Sequence, residues 1–142
     1  FLLAEINKRL PITKTTECTL EANPGSSDHA KFVGYRAAGI NRLSIGVQSF
    51  SDTALQQLGR THTRSDASDA IQAARRAGFS NINLDLMHGL PGQTPDSAIA
   101  DLHYAAQFAP EHLSWYQLTI EPNTVFYSTK PKLPVELPDL IK

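Results

Sequence analysis

Short apolar runs alternate with longer helix-like segments along most of this chain, and four of the runs end on a polar residue. Glu21 closes Thr19-Leu20-Glu21, and Gln48 closes Leu43-Ser44-Ile45-Gly46-Val47-Gln48. Asp85 follows Ile82-Asn83-Leu84, and Glu121 closes Tyr116-Gln117-Leu118-Thr119-Ile120-Glu121. Apolar runs of this length read as strands, and the 3.6-residue periodicity between them reads as helices. The pattern predicts an opening helix through Leu10 and a strand at about 17–22, then a turn at Asn23-Pro24-Gly25. A helix capped by Ser27 runs to Ala38 and stops at Gly39, before a strand at 42–48. Ser51 caps a short helix ending at Leu58-Gly59, and Ser65 caps a longer one ending at Ala77-Gly78. A third strand covers 81–87. Thr94-Pro95 places a hydroxyl cap before a proline at the first helical position, starting a helix to Ala109. The last strand runs from about Leu113 to Ile120.

Helices between successive strands imply parallel pairing with right-handed crossovers. Strand alternation then sorts the residues onto two faces. Counting back by two from each terminal polar residue places Glu21 and Thr19 on one face, followed by Gln48, Gly46 and Ser44, then Asp85 and Asn83, then Glu121, Thr119 and Gln117. The opposite face is apolar throughout, with Tyr116 and Leu118 on the last strand. A closed eight-stranded barrel fills its interior with bulky branched side chains, whereas this one is small and polar. The expectation is α/β: part of an open (β/α)6 TIM-like barrel, parallel strands with helical crossovers, that holds a polar ligand. A flat α/β sheet covered on both faces is the alternative, and it would bury those polar residues at a cost.

Strand ends in such folds carry the chemistry. Carboxylates and an amide at Glu21, Asp85 and Gln48 suit hydroxyls and amines, and Arg60, just past Gly59, suits a ligand carboxylate. Any one of these alone reads better as a buried polar residue tying loops together; four in register favour a ligand. Gly89-Leu90-Pro91-Gly92-Gln93-Thr94 is a turn into a helix and lacks the lysine of a phosphate-binding loop. His62 and His88 lie near strand ends and could face a ligand; His29, His103 and His112 read as surface or loop residues. Trp115 and Tyr116 read as core, with the lining of a flat macrocycle's site as the alternative. The single cysteine, Cys18, falls on the apolar face as small filling, which excludes a disulfide framework and leaves no metal-ligand set within the chain.

Composition adds only limits. A net charge of −1 and the lack of a basic run exclude a general pull toward nucleic acid. With no signal peptide and no apolar run long enough to span a bilayer, a cytoplasmic location is the default. The 142 residues suit one domain or part of one. The uncapped start at Phe1 and the prolines at 131, 134 and 138 divide the chain into a barrel portion, 1–128, and a linker, 129–142, toward a further lobe.

Three groups of residues resemble a known family. They are Glu21-Ala22-Asn23-Pro24-Gly25, Arg42 to Phe50 with Leu58-Gly59-Arg60-Thr61-His62, and Asn83 to Thr94 with His112 to Pro122. Together, over about residues 15–127, they resemble the radical S-adenosylmethionine family around oxygen-independent coproporphyrinogen III oxidase. Glu-Ala-Asn-Pro at 21–24 and Leu-Thr-Ile-Glu-Pro at 118–122 are similar to the HemW-like, haem-chaperone branch; the oxidases tend to show Glu-Ile-Asp-Pro at the first of these. The resemblance implies a partial barrel binding S-adenosylmethionine and a [4Fe-4S] cluster and, in the chaperone branch, haem. Glu21, Gln48, Arg60, Asp85 and, more weakly, Thr119 fall where the family contacts S-adenosylmethionine. The implied partners are haem or coproporphyrinogen III, and a haem-accepting protein. The runner-up function is the oxidase itself, which decarboxylates two propionates; an unrelated βα-barrel enzyme is a third. The family's CxxxCxxC cluster loop is absent from these 142 residues, so the chain alone is expected neither to hold the cluster nor to cleave S-adenosylmethionine.

Overall fold

The computed structural model describes residues 2–26, 29–129 and 131–134. Four parallel strands, β1 (Thr19–Ala22), β2 (Arg42–Gln48), β3 (Ile82–His88) and β4 (His112–Gln117), lie in the order β1-β2-β3-β4. Helix α1 (Leu2–Asn7) precedes them, and α2 (His29–Ala37), α3 (Asp52–Gln57), α4 (Arg64–Arg76) and α5 (Pro95–Ala106) fill the connections. A 3₁₀ turn at Pro24–Ser26 and a short α6 (Val125–Thr129) complete the described elements. The strand order never reverses. A sheet with helices on both faces needs a reversal, so sequential order leaves one face helix-free, as in a barrel wall.

The covered face is the core. Leu43, Ile45 and Val47 on β2 and Ile82, Leu84 and Leu86 on β3 have no exposed surface. Against them α4 packs Ala67, Ile71 and Ala74, a spacing of four and seven that keeps one helix face on the sheet. Phe32, Phe50, Phe79 and Ala105 complete the cluster. Each fully buried Leu or Ile stabilises the fold by roughly 1.5–3 kcal/mol, so the two central strands carry most of it. The outer strands are exposed along much of their length.

Several boundaries differ from expectation, each for a local reason. Thr63, not Ser65, caps α4: its hydroxyl accepts from Asp66 N while the Asp66 carboxylate accepts from Thr63 N, a reciprocal pair that Ser65 could not complete. Helix α5 ends at Ala106 and Ala109 takes a positive φ of 45°, so the chain turns before Pro110. The caps at Ser51 and Thr94 form as expected, whereas the Ser27 cap lies outside the described residues. So does most of the 129–142 segment.

The largest correction concerns β4, which ends at Gln117 rather than Ile120. Its register is set by β3, with Asp85 opposite Ser114, Leu86 opposite Trp115 and Met87 opposite Tyr116. Ser114 and Tyr116 therefore share the helix-free face with Asp85, and Trp115 turns to the core. Counting back from Glu121 crosses residues that are not strand, and the parity inverts. Tyr116 is consequently not a core residue: it is 43% exposed on the opposite face.

Candidate functional site

A concavity of about 430 Å³ opens on the helix-free face at the strand ends. Glu21, Gln48, Arg60 and Asp85 line it together, with Ser44, Gly46 and Tyr116 among the other walls. The structure thus brings four of the five expected site residues to one place. Thr119 is not among the lining residues and is exposed just after β4.

Asp85 is the most tightly held of the four. Ser44 Oγ donates to its Oδ2 at 2.8 Å, and Asn83 Nδ2 lies 2.8 Å from its Oδ1. The same Asn83 amide donates to Ser44 Oγ at 2.8 Å and accepts from Ser114 Oγ at 3.0 Å. This polar floor spans β2, β3 and β4 and satisfies itself, which is how Ser44 and Asn83 can be buried without an apolar partner. Each carboxylate oxygen of Asp85 has capacity left to accept from a ligand.

Gln48 closes β2 in an unusual conformation. Its φ is +69°, and Ser49 N donates back to Val47 O at 2.9 Å across it. An i to i+2 hydrogen bond around a central residue of positive φ is the rare, strained form of the γ-turn. The pairing with β3 slips at the same point, from Ile45 opposite Leu84 to Gln48 opposite Leu86. The Gln48 amide is directed into the concavity, where Tyr116 Oη donates to its Oε1 at 3.1 Å. Gly46 makes room for it, since a Cβ there would lie 3.0 Å from Gln48 Nε2. Burial, then the neighbouring Asp85 charge, hold the Tyr116 phenol above its usual range, so it serves as a neutral donor.

Behind the turn lie two buried side chains: Asp101, which the sequence patterns did not single out, and His62, which they placed near a ligand. Asp101 on α5 accepts from Ser49 Oγ at 2.6 Å and from Phe50 N at 2.8 Å. Burial pushes its carboxyl above the ordinary range, and the Ser49 and Phe50 bonds pull it back. His62 is 3% exposed and its Nε2 lies 3.0 Å from Val47 O; because a carbonyl can only accept, Nε2 carries the proton. His62 therefore does not face the ligand side. Neither does His88, whose ring packs tilted against Trp115 with centroids 4.6 Å apart on the covered face, where burial lowers its pKa. One signal for Asp101 was available: with Ala98 and Ala105 it falls at positions 98, 101 and 105 of one helical stripe, an acid in an apolar row.

The donor set suits a small ligand bearing amine, hydroxyl and carboxylate groups. It does not suit an iron–sulfur cluster: the chain has one cysteine, and no group of three or more His, Cys, Asp or Glu among the described residues could hold a metal ion. No helix of the described residues is long and apolar enough to cross a membrane.

Comparison with known proteins gives the same direction. Residues 1–105 match the Radical SAM superfamily. The chain is 52% identical to the heme chaperone HemW of Haemophilus influenzae over 134 residues, and 52% identical to that of Escherichia coli over 133. Each match covers 94% of this chain and 35% of the relative, so the chain spans about a third of the length of these curated relatives. Among solved structures, coproporphyrinogen III oxidase (HemN) from Escherichia coli, a radical SAM enzyme, superposes with a TM-score of 0.82 at 29% identity. That match covers 94% of this chain and 32% of the oxidase.

Proposed function

The chain belongs to the radical SAM superfamily, and from that premise we propose that its strand ends form the S-adenosylmethionine cradle of a HemW-type haem chaperone. The observation that carries the proposal is the convergence of Glu21, Gln48, Arg60 and Asp85 on one concavity. Arg60 is the cation of the lining and pairs with the ligand's carboxylate. Glu21 and Asp85 accept from its ammonium and ribose hydroxyls, and their charge favours a sulfonium nearby. Gln48 offers one amide that both donates and accepts. Bound S-adenosylmethionine supplies a carbon–sulfur bond that a reduced [4Fe-4S] cluster can cleave. These residues bind and orient; the cluster's ligands are not among them.

Haem as cargo, and a haem-accepting protein as partner, belong to the same proposal and rest on the 52% identity to proteins named for that role. The oxidase reading is the second one, favoured by the superposition on HemN. One experiment separates them. The full-length protein with its cluster in place is given coproporphyrinogen III, S-adenosylmethionine and a reductant, and porphyrin product is followed by fluorescence. The expected result is no turnover, with haem bound when haem is supplied in place of coproporphyrinogen III. Formation of protoporphyrinogen would establish the oxidase instead. Asp85→Ala should weaken S-adenosylmethionine binding by about tenfold or more, as expected for losing a charged hydrogen-bond acceptor; unchanged affinity would remove Asp85 from the cradle.

A further inference from the structure

Strained backbone persists only where its surroundings over-determine it. The γ-turn at Gln48 is such a place, and its surroundings can be named. The Val47 carbonyl before it meets both Ser49 N and the buried His62 ring. The two residues after it, Ser49 and Phe50, are both tied to the Asp101 carboxylate, and Ser51 N donates to the same Ser49 hydroxyl at 3.0 Å. Ser49 has no exposed surface, and Asp101 is 5% exposed. A carboxylate in that position carries a burial cost that a neutral side chain would avoid, and its two oxygens hold the loop on the far side of the sheet from the concavity. The hydrogen bonds of Asp101 go to Ser49 and Phe50, neither of which lines the concavity at the strand ends.

We propose that Asp101 is a positioning residue, which acts through the Ser49–Phe50 backbone to hold Gln48 in its positive-φ turn with the side-chain amide aimed at the bound ligand. The inference rests on the reading of the concavity as an S-adenosylmethionine cradle. It assigns Asp101 a role in ligand affinity, beyond its role in packing.

The test is a double-mutant cycle on the full-length protein carrying its cluster, with S-adenosylmethionine binding read by calorimetry and the thermal midpoint read in parallel. Asp101→Asn keeps the shape and replaces one acceptor oxygen by a donor. Gln48→Ala removes the amide being positioned. Each single change is expected to weaken binding about tenfold, and Asp101→Asn should weaken it by less than about twofold further when Gln48→Ala is already present, the mark of residues acting as one unit. Its loss of thermal stability should persist in both backgrounds. If Asp101→Asn does not fold, Ser49→Ala takes its place in the cycle, cutting one link and leaving the Phe50 bond. Losses that multiply, wild-type affinity in Asp101→Asn, or wild-type affinity in Gln48→Ala would each overturn the inference while leaving the cradle standing. Failure of the wild-type protein to bind S-adenosylmethionine would overturn the cradle reading itself, and this inference with it.

Discussion

The ends of β2 and β4 make an instructive pair. In sequence both are apolar runs closed by a polar residue, Gln48 and Glu121, and the two look interchangeable. In the structure they have little in common. β2 is central, pairs on both sides, and ends in a strained turn that Asp101 and His62 grip from behind. β4 is one of the two edge strands among those described; its pairing with β3 ends at Gln117, one further bond joins Leu118 N to His88 O at 2.9 Å, and Thr119 and Glu121 lie exposed. A polar residue at a strand end becomes part of a site where buried groups fix the backbone beneath it. Where nothing fixes it, the same pattern marks the exit from the sheet.

The sharpest way to break this comparison is to remove the grip. Asp101→Ala leaves the Phe50 N–H and the Ser49 hydroxyl buried without their partner, and should cost about 2–4 kcal/mol of stability in urea unfolding. Glu121→Ala should stay within about 0.5 kcal/mol, as exposed substitutions do. Equal costs would erase the distinction between the two ends. The Asp101 proton gives a second handle. Burial holds this carboxyl above the ordinary aspartate value of 3.8 in the folded state, so the folded protein binds the proton more tightly than the unfolded chain does. The stability linked to that proton is complete below 3.8 and is lost as pH rises through the folded value. The stability of the wild type relative to Asp101→Asn should therefore fall as pH is raised across that window, in matched urea titrations. A rise would mean that the hydrogen bonds from Ser49 and Phe50 outweigh burial.

These buried groups also mark the limit of what the chain's pattern discloses. Strand β2, the caps at Ser51 and Thr94, and the parallel αβ order follow from local periodicity and turn chemistry, and local rules suffice for them. The convergence of Glu21, Gln48, Arg60 and Asp85 was legible because parallel strands present their ends on one side. Tyr116 was misplaced because parity is a property of the strand actually formed, and where β4 stops depends on how far β3 can pair with it. Asp101 is linked to Phe50 from 51 residues away, a distance no local window encompasses, and the contact of His62 with Val47, 15 residues away, leaves no periodic trace in the chain. The polar floor beneath Asp85 is intermediate: Ser44 and Asn83 were placed on the right face, yet their bonding across three strands needed the register.

Smaller effects sharpen the comparison at Gln48 itself. Gln48→Gly removes the penalty of a side chain at φ +69° and should leave stability unchanged or raise it by up to about 1 kcal/mol, while S-adenosylmethionine affinity falls. Opposite signs in the two measurements are the signature of strain held for binding; a parallel loss in both would show that the amide's contacts, not the turn, dominate. Tyr116→Phe removes the single hydrogen bond to Gln48 Oε1 and keeps the ring. About 1 kcal/mol is expected from such a bond, or roughly fivefold in affinity, with the thermal midpoint little changed because the ring is half exposed.

The least effect is expected at the end of β4. Thr119 matches the family's ligand-contacting pattern in sequence, but its side chain is exposed and lies outside the concavity lined by the other four residues. Thr119→Ala should change S-adenosylmethionine affinity by less than about twofold, the range of exposed substitutions that remove no buried partner. A tenfold loss would mean that the segment after Gln117 folds over the ligand once it binds, closing the concavity from the β4 side. The two strand ends would then differ only in when they are fixed: β2 before the ligand arrives, by Asp101 and His62, and β4 by the ligand itself.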